Sequence, residues 1–145
     1  MKFLVINGPN LNLLGIREPD IYGKEDYAAL TELIRQTCQS EQIDVEIWQS
    51  NHEGAIVDKI QQCYGQKDGL IINPAAYTHT SVAIPDAIKA VGLPAVEVHI
   101  SDISTREAFR AHSYTSAACI ATLKGEGLAG YAHAIRLLKA HLPHS

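Results

Sequence analysis

Short apolar runs, each too brief for a helix, alternate along this chain with longer segments whose apolar residues recur at helical spacing, and few architectures accommodate that rhythm. The runs are Phe3 to Ile6, Val45 to Trp48, Leu70 to Ile72, Ala95 to Ile100 and Cys119 to Leu123. Most are apolar at consecutive rather than alternate positions, as strands buried on both faces of a parallel sheet must be.

Between them lie four helical patterns. Tyr27, Leu30, Leu33, Ile34 and Cys38 share one face, with Asp26 as the cap. Ser50-x-x-Glu53 reads as a capping box opening a helix with Ile56, Val57, Ile60, Cys63 and Tyr64 inward and Gly65 as its stop. Ile84, Ala87, Ile88 and Val91 form a third, ended by Gly92 with Pro94 beyond, and Leu128, Tyr131, Ile135, Leu138 and Leu142 form the last. Right-handed crossovers then yield a doubly wound, flavodoxin-like sheet of five parallel strands with helices on both faces, in one domain spanning residues 1–145.

Composition narrows the function. At 145 residues the chain buries about two-thirds of its unfolded surface, so its core needs no disulfide staple. A net charge of −4 with dispersed Lys and Arg leaves no footprint for nucleic acid or a membrane surface. Cys38, Cys63 and Cys119 form no Cys-x-x-Cys pair, and they read as small packed groups in a reducing compartment. The run Met1 to Ile6 meets Asn7-Gly8-Pro9-Asn10 too soon for a signal peptide, so the expected location is cytoplasmic.

In doubly wound sheets ligands bind beyond the carboxyl ends of the strands. The polar loops fall there: Asn7 to Asn10, Gln49 to Glu53, Asn73 to His79, and His99 to Ser101. No Gly-x-Gly-x-x-Gly or Walker loop follows the first strand, and Gly125-Glu-Gly127 is more simply a turn, so nucleotide binding is not expected. The histidines lack metal-ligand spacing. His99 follows Glu97 by two, so both side chains share a strand face; either Glu97 orients the imidazole, or His99 is a strand-end residue bonded to backbone. Residues 105–110 read as a short helix capped by Ser104 with Glu107 at its third position, placing Arg106 and Arg110 on one face beside the site. The segment Gly15 to Gly23, rich in breakers, is either an ordinary surface loop or a lid carrying Arg17 and Tyr22.

Six motifs together carry a resemblance. They are Ile6-Asn-Gly-Pro-Asn-Leu-Asn-Leu-Leu-Gly15, Arg17-Glu-Pro-x-Ile-Tyr-Gly23, Gln49-Ser-Asn-His-Glu-Gly54, Asn73-Pro-Ala-Ala-Tyr-Thr-His-Thr-Ser81, Glu97-Val-His-Ile-Ser101 and Arg110-Ala-His-Ser-Tyr114. In this order and spacing, across essentially the whole chain, they resemble the type II 3-dehydroquinate dehydratases. The resemblance implies loss of water from 3-dehydroquinate to give 3-dehydroshikimate, a step of aromatic biosynthesis shared with quinate breakdown, without cofactor or metal. It also implies assembly as a homododecamer, a tetramer of trimers.

By motif position the resemblance makes Tyr22 the base, Arg17 its activator, His99 the acid for the departing hydroxyl, and Asn10 a stabiliser of the enolate through water. Asn73 with the backbone N–H groups of Ile100 and Ser101 would cradle the carboxylate. His79, Arg110 and, from a neighbouring subunit, Asp86 would hold the ring hydroxyls, with Arg106 a second arginine near the lid. A free phenol is only about one part in a thousand ionised at pH 7. A guanidinium at about 4 Å contributes roughly 4 kcal/mol at an effective dielectric of 20, enough to tune it. Ser101-Asp-Ile-Ser104 and Ala108 depart from the family's more usual Ser-Asn-Ile-His and glutamate, without touching a catalytic position. The rival from another class is a non-enzymatic binding module for a carbohydrate acid, which explains the polar loops but not a phenol and guanidinium facing an acid.

Overall fold

The computed structural model describes residues 1–16, 25–102 and 107–143. Its strands are β1 (Lys2–Asn7), β2 (Asp44–Gln49), β3 (Gly69–Asn73), β4 (Ala95–His99) and β5 (Ala121–Lys124). All pairings are parallel, and the order β2-β1-β3-β4-β5 is that of the flavodoxin-like sheet expected.

The helices are α1 (Tyr27–Ser40), α2 (Glu53–Gln62), α3 (Ala83–Val91) and α4 (Ala129–His141). Strand periodicity divides the core between them. Phe3 and Val5 of β1 join Leu30 and Ile34 of α1 and Tyr131, Ile135 and Leu138 of α4 on one face. Leu4 and Ile6 join Ile56 and Ile60 of α2 and Ile84 and Ile88 of α3 on the other. The central strands, covered on both sides, carry no exposed residue from Phe3 to Asn7 or in β3 and β4.

The helix ends obey local chemistry. The Asp26 carboxylate accepts the Ala29 N–H at 2.8 Å, as a cap should. Gly92 adopts φ 66°, and its N–H closes on the Ile88 and Lys89 carbonyls, stopping α3. The expected capping box does not form. Ser50 Oγ instead accepts the His52 N–H at 3.0 Å, and His52 is the extended residue before α2. With His52 at the cap, Ser50 lies two residues before it and Glu53 opens the helix, so neither stands where a capping box needs it. Tyr64, expected inward, lies beyond the end of α2 and is 75% exposed.

Two further boundaries differ. The segment before β5 folds as a 3-10 turn, Thr115–Ala118, so Cys119 and Ile120 precede the strand rather than open it. The helix expected over 105–110 is interrupted at Glu107, which is extended (φ −60°, ψ 151°) and followed by a 3-10 turn, Ala108–Ala111; residues 105 and 106 lie outside the described residues. No helix among the described residues is long and apolar enough to cross a membrane.

Candidate active site

Strand ends and side chains stitch the polar loops into one rim. The Gly8 N–H donates to the Asn73 carbonyl at 2.7 Å, joining the loops after β1 and β3. The loop after β2 enters through Asn51. Its Oδ1 accepts the Asn10 N–H at 3.0 Å and Gln49 Nε2 at 3.1 Å, while its carbonyl accepts the Tyr77 hydroxyl at 2.8 Å. Asn10 sits in the left-handed region, φ 70°, which asparagine tolerates better than most residues, and its side chain stands exposed at the rim.

Beneath the rim lies a buried amide and phenol network. The Tyr131 hydroxyl donates to Asn7 Oδ1 at 2.7 Å and accepts from Asn73 Nδ2 at 3.0 Å. Asn73 Oδ1 in turn accepts the Ala75 N–H at 3.1 Å. These bonds settle which end of the Asn73 amide is which. Burial pushes the Tyr131 phenol well above its usual range, so this tyrosine stays protonated and takes no part as a base.

At the end of β4, Glu97 and His99 lie on one face as their spacing requires, and both are buried. His99 Nε2 donates to Glu97 Oε2, which answers the open question of whether this histidine bonds backbone or carboxylate. Thr78 Oγ1 donates to Oε2 at 2.6 Å, Ser113 Oγ lies 2.9 Å from both carboxylate oxygens, and Thr122 Oγ1 reaches Oε1 at 3.3 Å. Burial alone would raise the Glu97 pKa, but the His99 hydrogen bond and charge, then Thr78 and Ser113, outweigh it and hold the carboxyl below its usual range. The magnitudes agree: burying an ion costs several kcal/mol, and each hydrogen bond to a charge returns about 1.5–3 kcal/mol.

His79 Nδ1 lies 2.8 Å from the His112 carbonyl, which can only accept, so His79 carries a hydrogen on Nδ1. Arg110 is held by Glu107 through Nε at 2.6 Å and lies over the Phe109 ring, whose edge meets His79. Phe109 thus lies between His79 and Arg110. Ile100 and Ser101 follow directly on His99, with the Ile100 carbonyl engaged by the Gly127 N–H at 3.0 Å. Asp86 stands exposed on the first turn of α3 and makes no side-chain bond to these residues among the described ones. Arg17, Tyr22 and Arg106 lie outside the described residues.

Sequence reasoning missed Thr78, Ser113, Thr122, Asn51 and Tyr131 as parts of this site. One signal was available: Thr122 pairs with Glu97 in the β4–β5 register, so strand parity puts its hydroxyl beside the carboxylate. The others contact the site only through tertiary structure.

Known proteins resemble this chain over nearly its whole length. The family model described as dehydroquinase class II matches residues 1–139. A protein named 3-dehydroquinate dehydratase from Clostridium acetobutylicum is 52% identical over 139 residues, covering 96% of each chain. One of the same name from Clostridium perfringens is 50% identical over 143 residues, 98% of each. The crystal structure of a type II dehydroquinase from Butyrivibrio crossotus superposes with a TM-score of 0.92 at 54% identity, covering 96% of this chain and 97% of that one. A second, from Propionibacterium acnes, gives 0.89 at 40% identity and 96% coverage of both. With its sheet order, its rim of polar loops and these likenesses, the chain belongs to the class II dehydroquinase family.

Proposed function

We propose that this chain, as a single catalytic domain over residues 1–145, dehydrates 3-dehydroquinate to 3-dehydroshikimate by anti elimination through an enolate. The observation that carries the reading is the buried Glu97–His99 pair at the carboxyl end of β4, beside the rim of polar loops. Elimination of a tertiary hydroxyl beta to a ketone needs a base for the C–H bond, a stabiliser for the enolate and an acid for the leaving oxygen.

Tyr22 as phenolate takes the proton from the carbon alpha to the ketone, and the electron pair moves onto the ketone oxygen as the enolate. Arg17 holds the phenol ionised, and Asn10 steadies the enolate oxygen through a water. The enolate collapses, the C–O bond breaks, and His99 donates a proton so that water leaves. Because Nε2 is committed to Glu97, Nδ1 is the ring nitrogen that faces the reaction. The proton gained by Tyr22 and the one lost by His99 balance, and both groups return to their starting states by exchange with solvent.

Asn73, with the amides of Ile100 and Ser101, receives the substrate carboxylate, and His79 and Arg110 the ring hydroxyls. Asp86 completes the site from a neighbouring subunit of a homododecamer. This requires neither metal nor cofactor. The three free cysteines suit a cytoplasmic setting.

The test is direct: incubate the purified oligomer with 3-dehydroquinate, with and without chelator, and follow the enone absorbance of the product. Turnover indifferent to chelator is expected. Binding of 3-dehydroquinate without product would favour a binding module and reject the enzymatic reading.

A further inference from the structure

Thr78, Ser113 and Thr122 bring hydroxyls to one carboxylate from the turn after β3, the segment after β4 and β5 itself. Each hydroxyl has a single hydrogen to give, whereas an ionised carboxylate only accepts. The Ser116 N–H donates to Ser113 Oγ at 3.1 Å, so the Ser113 hydrogen turns away from that side, toward Glu97. Thr78 is anchored by its own backbone, its carbonyl accepting the Tyr114 N–H at 2.8 Å. Its oxygen and that of Ser113 stand 2.5 Å apart, within hydrogen-bond distance of each other as well as of the carboxylate, so the two hydroxyls share their hydrogens between one another and Glu97. A neutral carboxylic acid would need to give up a hydrogen into this ring of donors and would forfeit one of their bonds. The arrangement selects the anion.

We propose that Thr78 and Ser113 are positioning residues that hold Glu97 as a carboxylate against His99 Nε2, and so set the charge on which the acid depends. Neither touches substrate; both act through Glu97. Among the described residues the titratable groups set against Glu97 are His99 on its own strand and the Cys119 thiol in front of β5. Burial first, and then the Glu97 charge, push that thiol up to about 12, so it stays neutral through the working range and competes for no proton. The hydroxyls are thus the adjustable part of the cluster. They also join it to the segment bearing Arg110, since Ser113 follows Arg110 by three residues and His112 holds His79.

The inference rests on the reading of His99 as the acid, and the experiment separates the two. In the full-length oligomer labelled with carboxyl-13C glutamate, Glu97 is assigned by the signal lost in Glu97→Gln. Its titration is then followed in Ser113→Ala, Thr78→Val and Thr78→Ser. The midpoint should rise by about one to two pH units in the first two, the worth of one hydrogen bond to a charge, and return toward its native position in Thr78→Ser. The acidic edge of kcat should move up with it, and kcat should fall about tenfold while KM changes less. A Glu97 titration unmoved in both hydroxyl-free variants overturns the proposal. A titration that shifts as stated with kcat unmoved upholds the hydroxyl clamp and rejects His99 as the acid. Should Thr78→Val fail to fold, Ser113→Ala, a small change at a part-buried loop position, decides alone.

Discussion

Tyr131 and Asn7 are joined by a hydrogen bond of 2.7 Å across 124 positions of sequence, tying the last helix to the mouth of the first strand. Both are fully buried, and the same hydroxyl receives Asn73. Tyr131→Phe leaves an amide oxygen and an amide hydrogen without partners, so it should cost about 1–3 kcal/mol in urea unfolding. It also frees the Asn73 amide to turn, so KM should rise more than kcat falls; an unchanged KM would show that Asn73 does not hold the substrate carboxylate.

Tyr22→Phe removes the proposed base. Turnover should fall at least 10²–10⁴-fold, while isothermal titration still detects 3-dehydroquinate binding. Near-native turnover in a folded variant would remove Tyr22 from the mechanism. Arg17→Gln should lower kcat and shift its alkaline rise upward, because the phenol then ionises only at higher pH.

Glu97 predicts how stability depends on pH. Its folded-state pKa lies below the ordinary glutamate value of about 4.3, so it stabilises the fold above that value and loses the contribution as pH falls through its depressed one. Glu97→Gln should therefore flatten the acid side of a plot of unfolding free energy against pH, measured by denaturant titration from neutrality downward. A native-like slope in the variant would mean that other carboxylates dominate.

Gly8 packs where no side chain fits. A Cβ there would sit 2.6 Å from the Pro74 carbonyl oxygen, which is backbone and cannot swing aside. Gly8→Ala should separate the loops after β1 and β3, costing about 1–3 kcal/mol and reducing kcat through displaced Asn10 and Asn73. A thermal melt matching wild type would contradict this.

What the sequence disclosed follows from the range of the interactions. The parallel sheet and α1, α3 and α4 were legible because consecutive apolar residues, the Asp26 cap and the Gly92 stop are local signals. The Ser50 cap failed because the helix opens at Glu53 with His52 at its cap, a boundary that sequence spacing does not fix. The Glu97–His99 pair was visible as strand parity. The hydroxyls of Thr78 and Ser113 beside it were not, since these two residues meet across 35 positions. Asn51 escaped for the same reason, holding Asn10 from 41 residues away.

The Tyr131 linkage also bears on biosynthesis. A ribosome adds this residue long after both asparagines, and until then the amides of Asn7 and Asn73 lack the phenol that orients them. A nascent polypeptide contains β1 and β3 early, yet it cannot complete the Asn7–Tyr131–Asn73 network before α4 has been made. Loss of α4 therefore strikes at amides carried by the first and third strands.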